Sequence, residues 1–270
     1  RAGGPEHMRP VGETEFVNGV AAMCASGIYG DIRACASIVG FADLNLGAAV
    51  GEVLDAHVAA SGRFRGIRHA SAWDASDQIR GSHTNPFEKM LGDKTFREGF
   101  AELGKRSMTF DAWLYHPQIP ELTDLARSFP DQPIVFDHFG GVIGIGPYAD
   151  HRDEILDSWK GAVAELAKCP NVYPKLGGLV MPVNGFGFHK GAEAPSSQNL
   201  ADTTREYYLH MIDVFGTDRC MFESNFPVDK RSCSYGVLFN SFKRIVADFS
   251  QDQKRALFHD NAARVYGVVN

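Results

Sequence analysis

Short apolar segments alternate with longer segments of helical periodicity, and this alternation constrains the fold more than any other feature of the chain. Six segments have the length and composition of buried β-strands, namely residues 35–41, 64–69, 108–115, 133–138, 172–176 and 220–225. Between them, apolar residues recur every three or four positions, as on one face of an amphipathic helix. Strands joined by helical crossovers form a parallel sheet with right-handed connections. The sequence therefore predicts an α/β fold.

The connections favour a barrel over a doubly wound sheet. No G-x-G-x-x-G motif follows a strand and no Walker loop occurs in the sequence, so a nucleotide-binding fold is disfavoured. A closed (β/α)8 TIM barrel needs eight strands, but residues 1–34 contain only an amphipathic helix, and the chain opens without an initiator methionine. We therefore expect residues 1–270 to form a single barrel domain that is N-terminally incomplete and lacks its first one or two βα units.

Composition narrows the range of partners. The net charge of −6 gives no basic surface for nucleic acid, and no run of apolar residues is long enough to span a membrane. The five cysteines are scattered and form no C-x-x-C pair, which is typical of reduced thiols in the cytoplasm. We expect a cytoplasmic protein that binds a small-molecule substrate. A homo-oligomer is compatible with the sequence.

Polar residues end five of the six apolar segments. In a parallel barrel the carboxyl ends of all strands converge on one face, which carries the active site. Packing alone does not explain why so many strands deliver a histidine, a cation or a carboxylate to one rim. The candidate site residues are Arg68, His69, Tyr115, His116, Asp137, His138, Lys175, Glu223 and Asn225.

Each of these residues also has a structural interpretation. His138 could be a buried, hydrogen-bonded histidine, His69 and His116 could shape turns, and Glu223 could pair with Arg68 for stability alone. Successive strand residues face opposite sides of a sheet, so we expect His138 to face the barrel and Asp137 to face the helices. The glycine-rich loop Gly177–Gln198 follows a strand and should therefore lie on the catalytic face.

The ordered segments of this chain resemble one known family. From about Val39 onward, the series GFADL, FRGIRHA, FDAWLYHPQ, IVFDHFGG, NVYPKLGGL, RCMFESNFPVDK and LFHDNAARVYG is similar to the amidohydrolase-related TIM-barrel hydrolases. The most similar branch contains the pyrone-dicarboxylate lactonase and the sugar-acid lactonases. The resemblance implies a hydrolase that acts on a lactone, or a related carbonyl compound bearing a carboxylate, at the C-terminal face of the barrel.

The resemblance also implies roles for individual residues. Arg68 stands where the family has a substrate-contacting arginine, and His138 matches the family's histidine after the sixth barrel strand. The family's last strand usually reads G-S-D-W-P, with the aspartate as general base and metal ligand, whereas this chain has Asn225 in place of that aspartate. An amide cannot accept a proton, so Asn225 can only orient water or substrate, and Glu223 is the nearest replacement base.

The superfamily's first strand carries a His-x-His metal pair, and no such pair occurs in this sequence. The resemblance therefore implies either no cofactor, as in some lactonases of this branch, or a divalent metal such as zinc. His116, His138 and Glu223 are the residues that could hold a zinc ion with an open position.

The sequence thus predicts a carboxylic ester hydrolase in which Arg68 binds an anionic group. His138, with His116, is expected to polarise the scissile carbonyl while Glu223 activates water. The predicted substrate-binding set is completed by His69, Tyr115 and Lys175. Two alternatives remain open at this point: a metal-dependent non-oxidative decarboxylase of the same superfamily, and a degenerate barrel that binds a ligand without turnover.

Overall fold

The computed structural model describes residues 1–268 and contains one curved sheet of parallel strands. Each strand pairs in parallel with its neighbours in chain order, which confirms the predicted α/β class. Every predicted strand segment contains an observed strand. The strands are β1 (Ile38–Gly40), β2 (Phe64–Arg68), β3 (Thr109–Ala112), β4 (Ile134–Phe136), β5 (Val172–Leu176) and β6 (Met221–Phe222).

Helices connect successive strands and cover the outer face of the sheet. The side chain of Asp93 accepts a hydrogen bond from the Phe96 amide and begins one of them, and Ser196 and Ser250 begin two others in the same way. The α-helices are α1 (Val11–Ala25), α2 (Val50–Ala60), α3 (Lys94–Gly104), α4 (Ile119–Ser128), α5 (Arg152–Ala167), α6 (Ser197–Phe215), α7 (Tyr235–Ile245), α8 (Gln251–Arg255) and α9 (Asn261–Val265).

The core lies between the sheet and this layer of helices. Phe96, Phe100, Trp159 and Phe242 are fully or almost fully buried there, and each such side chain contributes about 1.5–3 kcal/mol of hydrophobic stabilisation. The opposite face of the sheet, inside the curve, is polar. Arg68 of β2 lies beside Asp111 of β3 in the strand register, and both belong to a charged cluster described below. The inner face is therefore built for chemistry rather than for packing.

The N-terminal residues form the helix that their periodicity predicts. Within α1, the Thr14 hydroxyl lies 2.8 Å from Nδ1 of the buried His57, which fixes α1 against α2. Among residues 1–268, β1 and β6 each pair along one edge only, and the expected absence of the first one or two βα units of a (β/α)8 barrel stays a prediction. None of the helices in this described part is both long and apolar enough to cross a membrane.

Candidate active site

A cavity of about 760 Å³ opens at the carboxyl ends of the strands. That volume is within the usual range for sites that bind small molecules, about 300–1,000 Å³. Arg68, the last residue of β2, lines it, as does His138, which comes just after β4. The other lining residues include Phe41, Arg80, His83, Trp113, Tyr115, Met181, Pro182, Val183, Asn225 and Arg231.

Three side chains at or just after the ends of three different strands form a continuous row beside this cavity. Arg68 Nε lies 3.2 Å from Asp137 Oδ2, and Arg68 Nη2 lies 3.3 Å from His138 Nε2. On its other side, His138 Nδ1 forms a short hydrogen bond with Glu223 Oε1. Arg68, His138 and Glu223, which are far apart in the chain, therefore meet at one place, and two of them face an open cavity.

Lys175 lies behind this row and neutralises the carboxylates. Its ammonium is 2.6 Å from Asp111 Oδ2, 3.2 Å from Asp137 Oδ1 and 3.9 Å from Glu223 Oε2. Burial alone would lower the pKa of Lys175, but Asp111 and Asp137 hold that pKa well above its usual value. Burial raises the pKa of Asp137, yet Lys175 and Arg68 outweigh it and bring the pKa to about 2. Lys175 and Asp137 are therefore both charged at neutral pH.

The backbone at the end of β4 explains how two successive residues reach the same site. His138 has a φ of 54° and Phe139 a φ of 60°, so the left-handed turn interrupts the strand alternation. His138 faces the interior as expected, but the placement of Asp137 against the helices is wrong. Asp137 is fully buried and bridges Arg68 and Lys175 instead. Such a conformation costs on the order of 1 kcal/mol at a non-glycine residue, which the surrounding ion pairs offset.

The hydrogen bond to Glu223 sets the tautomer of His138. A carboxylate accepts only, so the imidazole proton lies on Nδ1 and the Nε2 lone pair points toward Arg68. His138 is only 3% exposed because Arg68 covers Nε2, whereas Arg68 itself is 40% exposed. Glu223 and Lys175 are each 17% exposed and neither lines the cavity. Arg68, the more exposed side chain of this contact, also lines the cavity.

Two predicted substrate contacts lie elsewhere. His69 is fully buried on the helix side, where its Nδ1 accepts a hydrogen bond of 3.2 Å from the Leu44 amide. His116 is also buried, and its Nδ1 accepts from the Ile143 amide at 3.2 Å. Neither ring lines the cavity, so the structure corrects both predictions: these histidines support the backbone. Tyr115 lines the cavity, although its hydroxyl donates to the Arg80 carbonyl at 2.7 Å and holds the loop after β2.

These two histidines make stability depend on pH. Burial lowers the pKa of both His69 and His116 from 6.5 to about 4. Because the folded-state pKa is the lower one, their stabilising contribution is complete above pH 6.5 and is lost as the pH falls from there toward 4. The free energy of unfolding should fall between pH 7 and about pH 5 in both proteins. We expect this fall to be about 2 kcal/mol smaller in His116→Gln than in the wild type, as measured by urea denaturation.

The exposed His151 supplies the matched control for that measurement, because its side chain is 56% exposed. All other titrating groups contribute alike to both proteins and cancel in the difference. His151→Gln should follow the wild-type pH dependence closely. A pH dependence of His116→Gln that matched the wild type as well would contradict a buried, neutral His116.

The described residues do not fit a zinc ion. Residues 1–268 contain no group of three histidine, cysteine, aspartate or glutamate side chains in ligating proximity. His116 is held by the Ile143 amide, so the predicted set of His116, His138 and Glu223 does not assemble. The carboxylates of the cluster are already paired with the ammonium of Lys175 and the guanidinium of Arg68. The Lys175 ammonium and the Arg68 guanidinium thus occupy the carboxylate oxygens that a metal ion would need.

Several residues of the site are not among the candidates at the strand ends. Asp111 and Trp113 alternate with the outward-facing Phe110 and Ala112, so the strand period could have identified them. Trp113 packs edge-on against His138, with ring centroids 5.1 Å apart. The irregular segment 70–89 after β2 supplies the cavity residues from Gln78 to Thr84, and its unusual length was an available signal. In the loop Gly177–Gln198, only residues 181–183 line the cavity.

Asp229 is a further residue that the sequence did not reveal as part of this site. It is fully buried, and burial raises its pKa to about 7. Its Oδ1 accepts a hydrogen bond of 3.1 Å from Nδ2 of Asn225, which lines the cavity. Asp229 therefore supports a cavity residue from behind.

Comparison with known proteins agrees with this architecture. A protein of Sinorhizobium fredii called y4mH, itself uncharacterised, is 36% identical over 96% of this chain and 76% of its own length. An L-fucono-1,5-lactonase of Burkholderia multivorans is 26% identical over 76% of this chain and 64% of its own length. A solved amidohydrolase from Burkholderia multivorans with bound zinc superposes with a TM-score of 0.74 at 25% identity, covering 96% of this chain and 80% of that one.

The chain thus spans about three quarters of the length of y4mH and somewhat less than two thirds of that lactonase. A family model described as amidohydrolase matches residues 19–268, which is most of the chain. The match includes every strand and the whole charged row of Arg68, His138 and Glu223. The chain therefore belongs to the amidohydrolase family.

Proposed function

We propose that this protein is a hydrolase that opens a lactone, or a related cyclic ester bearing a carboxylate, with His138 as the general base. The observation that carries the proposal is the position of His138: Nδ1 is held by Glu223, and Nε2 lies beside Arg68 at an open cavity. Relatives named as L-fucono-1,5-lactonases support a cyclic ester as substrate.

The reaction begins when a substrate anion draws Arg68 away from His138. Guanidinium groups bind carboxylates with paired hydrogen bonds, which are stronger than the 3.3 Å contact to an imidazole nitrogen. Nε2 is then free to take a proton from water while the water oxygen attacks the carbonyl carbon. Glu223 stabilises the imidazolium that forms. When the ring C–O bond breaks, His138 returns the proton to the departing alkoxide, which becomes the hydroxyl of the product.

This assignment revises the roles expected from the sequence. Glu223 does not line the cavity and its Oε1 is occupied by His138, so it acts as a positioning residue rather than as the base. His116 takes no part because it is held by a backbone amide. The zinc of the Burkholderia multivorans structure belongs to that protein, and no step here depends on a metal.

Two lactones test the proposal directly. The monolactone of glucaric acid carries a free carboxylate, whereas the corresponding lactone of gluconic acid has a hydroxymethyl group there. We expect Arg68→Gln to lower kcat/KM for the glucaric lactone by about tenfold to a hundredfold, because a charge-assisted pair contributes about 1.5–3 kcal/mol. The kcat/KM of Arg68→Gln for the gluconic lactone should fall much less. Ring opening is followed by proton release in a weakly buffered assay.

Arg127→Gln is the matched control, since Arg127 is 55% exposed and pairs with the exposed Glu165. It should leave both rates at the wild-type level. Equal losses on both lactones for Arg68→Gln would remove the carboxylate contact from the proposal. Release of carbon dioxide instead of ring opening would point to a decarboxylase, and binding without turnover would point to a non-catalytic barrel.

A further inference from the structure

We infer that Asn225 presents its amide oxygen to the substrate, and that the site therefore selects lactones with a hydroxyl group at that position. The inference rests on the proposed function and deepens it, because it names a chemical feature of the substrate. The supporting observation is the orientation of the Asn225 side chain, which lines the cavity and is hydrogen-bonded to the buried Asp229.

Asp229 fixes the orientation of the Asn225 amide. Asn225 Nδ2 donates to Asp229 Oδ1 at 3.1 Å, and the Asp229 side chain is fully buried. Above its pKa of about 7, the Asp229 side chain is a carboxylate, which can only accept hydrogen bonds and must face the NH₂ side of the amide. The backbone locks the same pair, since the Asp229 amide donates to the Asn225 carbonyl at 3.2 Å. Reversal of the amide would place two oxygens against each other in a buried site.

The amide oxygen is consequently left for a ligand. Asn225 Oδ1 accepts no hydrogen bond from residues 1–268, and this oxygen is not fully buried. It is therefore accessible, on a side chain that borders the cavity. Asn225 has a φ of 50°, a left-handed conformation that asparagine tolerates better than most residues. A free acceptor at this place calls for a donor, and among lactone substituents the common donor is a hydroxyl group.

The alternative is that Asn225 Oδ1 orients the attacking water. The two roles differ in what they predict for substrates. An acceptor for water would affect every lactone equally, whereas an acceptor for a ring substituent would affect hydroxylated lactones only. Substrate selectivity therefore separates this inference from a general catalytic or structural role.

The experiment compares kcat/KM for the γ-lactone of glucaric acid with that for the γ-lactone of 3-hydroxyadipic acid, which has the same ring and carboxylate without hydroxyl groups. Asn225→Gly is the variant of choice because glycine accepts the positive φ without strain. We expect the ratio of the two kcat/KM values to fall by about tenfold or more relative to wild type. The assay is run at about pH 8, because burial raises the pKa of Asp229 to about 7 and the carboxylate is then ionised.

A reciprocal double variant, Asn225→Asp with Asp229→Asn, provides the second arm. Its aspartate would accept from the new asparagine and still present an oxygen to the cavity, so the ratio should stay within about threefold of wild type. An unchanged ratio in Asn225→Gly overturns the inference, as does a loss of selectivity in the double variant equal to that in Asn225→Gly.

Failure of the proposed function is distinguishable from failure of this inference. If the wild type opens neither lactone, the proposed function fails while the recognition of a hydroxyl group can still be measured. Calorimetric binding of gluconate should then be about tenfold weaker in Asn225→Gly than in wild type. An equal Kd for the two proteins overturns the inference on its own.

Discussion

Replacement of His138 by glutamine is expected to lower kcat/KM for lactone opening by about 10²–10⁴-fold. The range is that of a lost general base, because glutamine keeps the polarity of the side chain but cannot take up a proton. His138 Nε2 is the basic atom that Arg68 covers at the cavity wall, and Glu223 holds the opposite ring nitrogen. The rate is measured by ring opening of the glucaric lactone in a weakly buffered solution.

Glu223→Gln separates the base from the residue that positions it. The glutamine can still accept a hydrogen bond from Nδ1 but cannot stabilise the imidazolium, so a loss of about tenfold to a hundredfold is expected, smaller than that for His138→Gln. Glu206→Gln is the control, since Glu206 is 60% exposed in a surface pair with Lys160. A loss for Glu223→Gln that equals or exceeds the loss for His138→Gln would return the role of base to Glu223.

Replacement of Lys175 by methionine should destabilise the fold by about 3–5 kcal/mol. The substitution keeps much of the side-chain volume but removes the ammonium that lies 2.6 Å from Asp111 and 3.2 Å from Asp137. Removal of one partner from a buried ion pair leaves a buried charge without compensation, and this penalty exceeds the value of the pair itself. Urea denaturation at neutral pH measures the change.

Two further variants show whether the effect comes from charge. Lys160→Met removes the partly exposed partner of the exposed Glu206 and should cost about 1 kcal/mol or less. Adding Asp111→Asn to Lys175→Met removes one of the stranded carboxylates and should recover part of the lost stability, a coupling expected for residues in direct contact. A loss below about 1 kcal/mol for Lys175→Met would show that the cluster is more hydrated than its burial indicates.

The sequence predicted the fold class and the assembly of the site because both depend on short-range patterns. Alternation of strand and helix dictates a parallel sheet, and a parallel sheet places strand ends together. Arg68, His138 and Glu223 meet for that reason. The side to which each residue points was less predictable, since it depends on where a strand stops being regular. The left-handed turn at His138 is such a place, and it brings Asp137 into the cluster.

Other features of the site depend on tertiary contacts that leave no local pattern. His69 and His116 follow strands as catalytic histidines do, yet each accepts a hydrogen bond from a backbone amide of a distant loop. Asp229 comes after Pro227 in what reads as an exposed turn, but the fold buries it beneath Asn225. Its role becomes visible only when the two side chains are seen together.

Chemical rescue of His138→Ala by imidazole tests the central claim most directly. The variant removes the ring that Glu223 orients and leaves the rest of the row in place. With increasing imidazole, the rate of lactone opening should recover in a saturable manner that wild type and Glu223→Gln do not show. Wild-type activity of His138→Ala without imidazole, or a rate that imidazole does not restore at any concentration, would contradict the assignment of His138 as the base.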